Sequence, residues 1–134
     1  MLKKAQDDEA KVFYIKMKGD YNRYIGEYAE GDLKKKVSDE AKNSYSMATE
    51  IAENLPIANP IRLGLALNYS VYYYEILEDH DQACKIAQDI IDKAEPEITN
   101  MDEEAEENRD MIQIFNLLKE NLEMWKADEE NRGN

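Results

Sequence analysis

Two asparagines lie on apolar stretches whose spacing is that of helix faces. Asn68 lies inside the segment NPIRLGLALNYSVYYYEIL (59–77), and Asn121 interrupts a stripe that begins at Ile114 and Leu117. A carboxamide offers two donors and an acceptor, which matches the main chain of an extended peptide. A buried amide left without partners costs about 1–3 kcal/mol. Either both amides hold one peptide, or each bonds a neighbouring helix or cap; spacing alone slightly favours the second interpretation.

Two cations lie seven residues apart near the start of the chain. Lys16 and Arg23 share a helix face, and Asp20 lies between them. Such an ion ladder at a surface contributes a few tenths of a kcal/mol per pair. Tyr24 follows Arg23, and a guanidinium beside a tyrosine hydroxyl can hold a phosphate because both groups donate to its oxygens. From the residues alone the plain ladder is favoured, with a phosphate site as the alternative.

The composition argues against several kinds of function. The chain has 17 Lys and Arg against 30 Asp and Glu, a net charge of −13, so it should repel nucleic acid and anionic membranes. No signal peptide, membrane-length apolar run, phosphate loop or HExxH motif is found. His80 lies between two aspartates and is typical of a loop cap rather than a metal ligand or base. Neither a metal, nor a cofactor, nor an enzymatic activity is therefore predicted.

A single cysteine, Cys84, excludes an intrachain disulfide and is typical of a small, buried apolar side chain. A reducing, cytoplasmic compartment is the expected location.

The elements that must position these residues are helices. The 134 residues contain only five glycines and three prolines, and apolar periodicity predicts five helices, at about 9–29, 33–54, 60–78, 80–95 and 103–127. Short loops favour antiparallel neighbours. The expected fold is all-α, an array of about five antiparallel helices stacked as hairpins in the manner of TPR proteins. Residues 1–127 should form one helical domain, with a disordered acidic tail at 128–134.

Proline, glycine and cap residues set the predicted boundaries. Gly31 ends the first helix, Asn59 caps the third with Pro60 in its first turn, and Pro96 kinks or ends the fourth. Asp79 or Asp81 lies near the start of the fourth.

The third helix divides into two faces. One broad face should form the core: Leu65, Tyr69, Tyr72 and Ile76. The other carries the candidate groove residues Gly64, Leu67, Asn68, Val71 and Glu75. Gly64 leaves room there for another backbone to come close.

Three segments together resemble one family. VFYIKMKGDYNRYIGE, NPIRLGLALNYSVYYYEIL and LLKENLEMW are similar, in order and spacing, to segments of the 14-3-3 proteins. The resemblance covers almost the whole chain but only the last five of that family's nine helices.

The resemblance implies a function and a set of residues. The family binds phosphoserine or phosphothreonine peptides in an amphipathic groove and acts as an adaptor for phosphorylated client proteins. Arg23 and Tyr24 match its phosphate-contacting pair. The groove matches are Lys16, Leu67, Asn68, Val71, Glu75, Ile114, Leu117, Asn121 and Trp125. In this pattern Asn68 and Asn121 bond the main chain of the bound peptide.

Departures from the family imply weaker binding. The helices that would supply a further Lys and Arg, and the family's dimer surface, have no counterpart here, and losing two cations could cost about 3–6 kcal/mol. Asn22 and Gln113 also replace a tyrosine and a groove leucine.

The apolar residues of the first helix suggest an alternative function. Its large apolar residues cannot all face the second helix, so some should be exposed: Phe13, Tyr14, Met17, Tyr21, Tyr24 and Tyr28. Exposed apolar patches usually mark interfaces. The alternative function is therefore a self-associating helical scaffold that has lost phosphopeptide binding, or a half-domain completed by another chain.

Overall fold

The computed structural model describes residues 2–133, with side chains described for 7–131. Within that range the fold is all-α, as predicted, and no strand is present. The helices are α1 (Leu2–Tyr28), α2 (Gly31–Ala52), α3 (Pro60–Glu75), α4 (His80–Thr99), a short 3₁₀ helix (Glu106–Asn108) and α5 (Arg109–Gly133). From residue 2 to 133, none of these helices combines the length and apolar character needed to span a bilayer.

The predicted caps begin α3 and α4, whereas Gly31 is the first residue of α2 and α1 already ends at Tyr28. Asn59 accepts at Oδ1 from the N–H groups of Ile61 (2.8 Å) and Arg62 (3.1 Å) at the start of α3. Asp79 caps α4 by accepting from the N–H of Gln82. Gly31 has φ +64°, in the left-handed region that favours glycine, and so lets the chain turn from α1 into α2.

The central helix is α3, which packs against α1, α2, α4 and α5. Its Leu65 and Tyr72 join a core cluster with α1 and α2, and its Leu63 joins a second cluster with α4 and α5. All three side chains are at most 2% exposed. A helix with neighbours on several sides needs apolar residues on several sides, which explains the composition of residues 59–77.

Several predicted boundaries were wrong. α1 begins at Leu2 rather than near residue 9, and α3 ends at Glu75 rather than 78. α4 passes through Pro96 and ends at Thr99, because one missing N–H near the end of a helix is tolerated while Ile98 anchors that turn in the core.

The predicted tail boundary at residue 127 also differs from the structure. α5 continues to Gly133, so residues 128–133 are helical, and Asn134 lies outside the described residues. Tyr74 donates a hydrogen bond to Asp128 (3.1 Å), and His80 Nδ1 lies 3.2 Å from Glu129 Oε1. These contacts tie the last turns of α5 to the end of α3 and the start of α4.

The outer face of α1 is exposed, as predicted. Six large side chains there are half exposed or more: Phe13 50%, Tyr14 73%, Met17 53%, Tyr21 67%, Tyr24 52% and Tyr28 85%. The opposite face of α1 packs on α2 through residues such as Val12, which is fully buried.

Candidate functional site

Polar side chains from three helices contact the Asp20 carboxylate. Lys16 Nζ lies 2.9 Å from Oδ2, and the Tyr45 hydroxyl donates to Oδ1 at 2.6 Å. Asn68 Nδ2 donates to both oxygens, at 3.1 and 3.2 Å. Two of the predicted site residues, Lys16 on α1 and Asn68 on α3, therefore lie side by side on one carboxylate.

Arg23 lies beside the same cluster and is only 8% exposed. Its Nε donates to Tyr45 Oη at 3.2 Å, and its terminal nitrogens lie 3.9 Å from Asp20 and 3.8 Å from Glu27. The guanidinium also lies 4.8 Å from the centroid of the half-exposed Tyr24 ring. Burial by itself would lower the pKa of Arg23, but Tyr45 and Asp20 outweigh it, and the pKa lies above its ordinary value.

Sequence reasoning missed Tyr45, which is fully buried on α2. Burial, reinforced by the hydrogen bond to Asp20, raises the pKa of this phenol far above its ordinary value, so it stays a donor. A Cβ added to Gly19 would lie 2.8 Å from Tyr45 Cε1. Gly19, one of two glycines inside α1, was therefore a sequence signal of a close neighbour.

An open cleft adjoins this cluster. α1 packs on α2 and α3, whereas α5 packs on α3 and α4, so α3 forms the floor between α1 and α5. The cleft at the start of α3 has a volume of about 370 Å³. Its lining residues are Phe13, Lys16, Pro60, Ile61, Gly64, Asp110, Gln113 and Ile114. Lys16 therefore borders both the cleft and the Asp20 cluster.

Gly64 keeps the cleft open. A Cβ added there would lie 3.7 Å from Lys16 Cε and 4.0 Å from Ile114 Cδ1. The glycine thus faces α1 on one side and α5 on the other. Asn68 follows one turn later on the same face of α3.

The α5 wall is an apolar stripe that ends in the second asparagine. Ile114 and Asn121 are half-buried, and Leu117 is 41% exposed. Residues seven apart on a helix differ by about 20° in direction, so Asn121 lies on the face through which Ile114 approaches Gly64. Leu67 and Val71 are half-buried and pack against the α4 and α5 core.

The position of Trp125 differs from its predicted place in the groove. Its side chain is 3% exposed and stacks on Tyr74 with 4.7 Å between ring centroids and 11° between planes. Trp125 is therefore a core residue that supports α5, rather than an open wall of the groove. Glu75 is exposed at the last residue of α3.

No metal site accompanies the cleft in the described part of the chain, where no three His, Cys, Asp or Glu side chains converge suitably. The cluster and the cleft together are suited to binding an amphipathic ligand, because they place cations and an amide beside an apolar wall.

Comparison with known proteins identifies one family. A family model, 14-3-3 protein, matches residues 1–126. A 14-3-3 protein of Giardia intestinalis is 48% identical over 126 residues, covering 93% of this chain and 50% of the relative. A 14-3-3 protein homolog of Neospora caninum is 48% identical over 129 residues, covering 96% of this chain and 48% of the relative.

The chain belongs to the 14-3-3 family. It spans about half the length of the curated relatives it matches.

Proposed function

We propose that this chain is a cytoplasmic adaptor module that binds phosphoserine or phosphothreonine peptides in the cleft between α1, α3 and α5. One observation supports this most: Lys16, Arg23 and Asn68, from two helices, meet at Asp20 beside a cleft with an apolar far wall. Clamping a phosphorylated client in this way requires binding but no catalysis.

The chemistry of each side chain determines which part of the phosphopeptide it contacts. Arg23 and Tyr24 contact the phosphate, with Lys16 beside them, because guanidinium, phenol and ammonium groups all donate to its oxygens. Asn68 and Asn121 bond the peptide main chain from the two sides of the cleft. The apolar wall contacts the client's side chains through Leu67, Val71, Ile114 and Leu117. Gly64 leaves space for the peptide backbone, and Glu75 lies at the end of the groove.

We expect this chain alone to bind phosphate weakly. Lys16 and Arg23 carry two positive charges, but Asp20 and Glu27 lie within 4 Å of them and carry two negative ones. The whole chain also carries −13. A phosphate therefore meets a site of no net charge on an acidic protein, and a complementing chain that supplied cations would strengthen binding.

Calorimetric titration with a phosphoserine peptide and its unphosphorylated twin tests the proposal. We expect the phosphopeptide to bind more tightly, and Arg23→Lys to reduce that preference about tenfold because lysine lacks the bidentate fork. Lys93→Ala, which removes an exposed cation from α4, is the matched control and should leave the preference unchanged. Equal binding of both peptides, or no binding of either, would overturn the proposal.

A second candidate is self-association through the outer face of α1. Its six exposed apolar side chains present on the order of 700 Å², close to the ~800 Å² per partner of a standard interface. Sedimentation velocity over a range of concentrations should show dimers, and Tyr14→Ser with Tyr21→Ser should abolish them. Met124→Ser, which changes an equally exposed residue on α5, is the control. A strict monomer at high concentration would exclude this candidate.

A further inference from the structure

The Asp20 carboxylate lies among the groups that would receive a peptide phosphate. It is the only acid within 4 Å of Lys16 Nζ in the described residues, at 2.9 Å, and it lies 3.9 Å from Arg23 Nη2. The side chains of Lys16, Asp20 and Arg23 are 18%, 13% and 9% exposed, so solvent screens their interactions only partly.

We propose that Asp20 is an internal counterion of the groove, which competes with the peptide phosphate for Lys16 and Arg23 and so limits the preference for phosphorylated ligands. This inference rests on the proposed function and adds a specificity-determining residue to it. Without ligand, the carboxylate compensates two partly buried cations, whose burial unpaired would be costly. With ligand, the same negative charge faces the phosphate.

Two neighbours prevent Asp20 from moving aside. The fully buried Tyr45 donates to Oδ1 at 2.6 Å, and Asn68 donates to both oxygens from the opposite helix. Turning the carboxylate away would break these bonds and leave a buried phenol without its acceptor. The phosphate must therefore bind against a fixed negative charge.

The same geometry sets the direction of the Asn68 amide. Because a carboxylate only accepts hydrogen bonds, Asn68 must turn its NH₂ group toward Asp20. Its carbonyl oxygen then points elsewhere and can accept from a peptide N–H. Asp20 thus positions the main-chain contact while it opposes the phosphate contact.

Asp20→Asn removes the charge with almost no change in shape, and Glu27→Gln is the matched control. Glu27 is on the same helix, lies 3.8 Å from Arg23 and is more exposed, at 34%. We expect Asp20→Asn to tighten phosphopeptide binding by about tenfold or more and to change binding of the unphosphorylated twin by less than about threefold. Glu27→Gln should tighten phosphopeptide binding by less than about threefold, because solvent screens its charge better.

Lys16→Met provides an independent test should Asp20→Asn not fold. It removes one cation and leaves Asp20 to face the phosphate, so we expect the preference for the phosphopeptide to reverse, whereas loss of the Lys16 contact alone would only reduce that preference. A preference that is unchanged or merely reduced in Lys16→Met would overturn the inference. Equal gains in Asp20→Asn and Glu27→Gln would also overturn it, since they would indicate a general charge effect.

The outcomes separate this inference from the proposed function. If the wild type prefers the phosphopeptide and Asp20→Asn does not strengthen it, only the inference fails. If Asp20→Asn binds the phosphopeptide where the wild type binds neither peptide, the proposed function fails for this chain and the inference about Asp20 is supported. If neither chain binds either peptide, both fail.

Discussion

Asn68 on α3 donates its amide to both oxygens of Asp20 on α1, across 48 residues of sequence. This bond links the floor of the cleft to the helix that carries its cations. The asparagine in the most apolar helix of the chain therefore has a partner inside the protein. Its carbonyl oxygen is directed away from that carboxylate. A main-chain N–H of a bound peptide could therefore donate a hydrogen bond to it.

We expect Asn68→Ala to weaken binding of phosphorylated and unphosphorylated peptides by the same factor, about 5–30-fold, since one main-chain hydrogen bond is worth about 1–2 kcal/mol. Calorimetry with both peptides measures this. Asn43→Ala, at an exposed position on α2, should have no effect. A loss confined to the phosphorylated peptide would show that Asn68 acts on the phosphate instead.

Gly19→Ala should destabilise the protein. The new methyl would lie 2.8 Å from the fully buried Tyr45 ring, and overpacking of this kind costs about 1–3 kcal/mol. At Gly26 an added Cβ would meet Val37 and Ile76 at 3.7 and 3.8 Å, an ordinary contact distance. Gly26→Ala should therefore be neutral or stabilising by up to about 1 kcal/mol.

Thermal unfolding compares the stabilities of Gly19→Ala and Gly26→Ala with that of the wild type. The melting temperature should fall by several degrees for Gly19→Ala and hold or rise for Gly26→Ala. The reverse order would show that Tyr45 does not pack against α1 in this way.

Cys84 should react slowly with thiol reagents near neutral pH. Burial, and then the negative charge of Glu129, raises the pKa of its thiol, so less thiolate is present at a given pH than in an unfolded chain. The ratio of the alkylation rate in urea to the rate in buffer should be largest below the ordinary thiol pKa and should fall as the pH rises above it. Equal rates in both solutions at neutral pH would contradict this.

Trp125 should act on stability rather than by touching the peptide. Trp125→Ala should cost about 3–5 kcal/mol in urea unfolding, because it removes a buried indole stacked on Tyr74. Trp125→Phe should recover part of that stability and retain peptide binding. A stable Trp125→Phe protein that no longer bound the peptide would indicate that Trp125 contacts the peptide directly.

The sequence was sufficient for the number and order of the α-helices, for the caps of α3 and α4 and for the exposed face of α1. Those features follow from local rules: Asn59 before Pro60, Asp79 before α4, and too many aromatic residues on one helix for one neighbour. The pairing of Lys16 with Asp20 was also predictable, since residues four apart share a helix face.

The rest depended on tertiary packing, which spacing within one helix does not encode. Gly19, next to Asp20, indicates a close neighbour, but it does not indicate that this neighbour is Tyr45, 25 residues later, or that the Tyr45 hydroxyl reaches the carboxylate. Trp125 was assigned to the groove from the family resemblance, but its side chain is buried and stacks on Tyr74 of α3. Helix ends beyond Pro96 and residue 127 were set by contacts with other helices.

The central claim is that Asn68 and Asn121 line one phosphopeptide groove. Side-chain carboxamide signals in ¹⁵N NMR, followed during titration with a phosphoserine peptide, test it most directly. We expect the signals of Asn68 and Asn121 to shift with one common dissociation constant, while Asn43 does not move and the unphosphorylated twin gives smaller shifts. Movement of only one of the two amides, or equal shifts with both peptides, would contradict the claim.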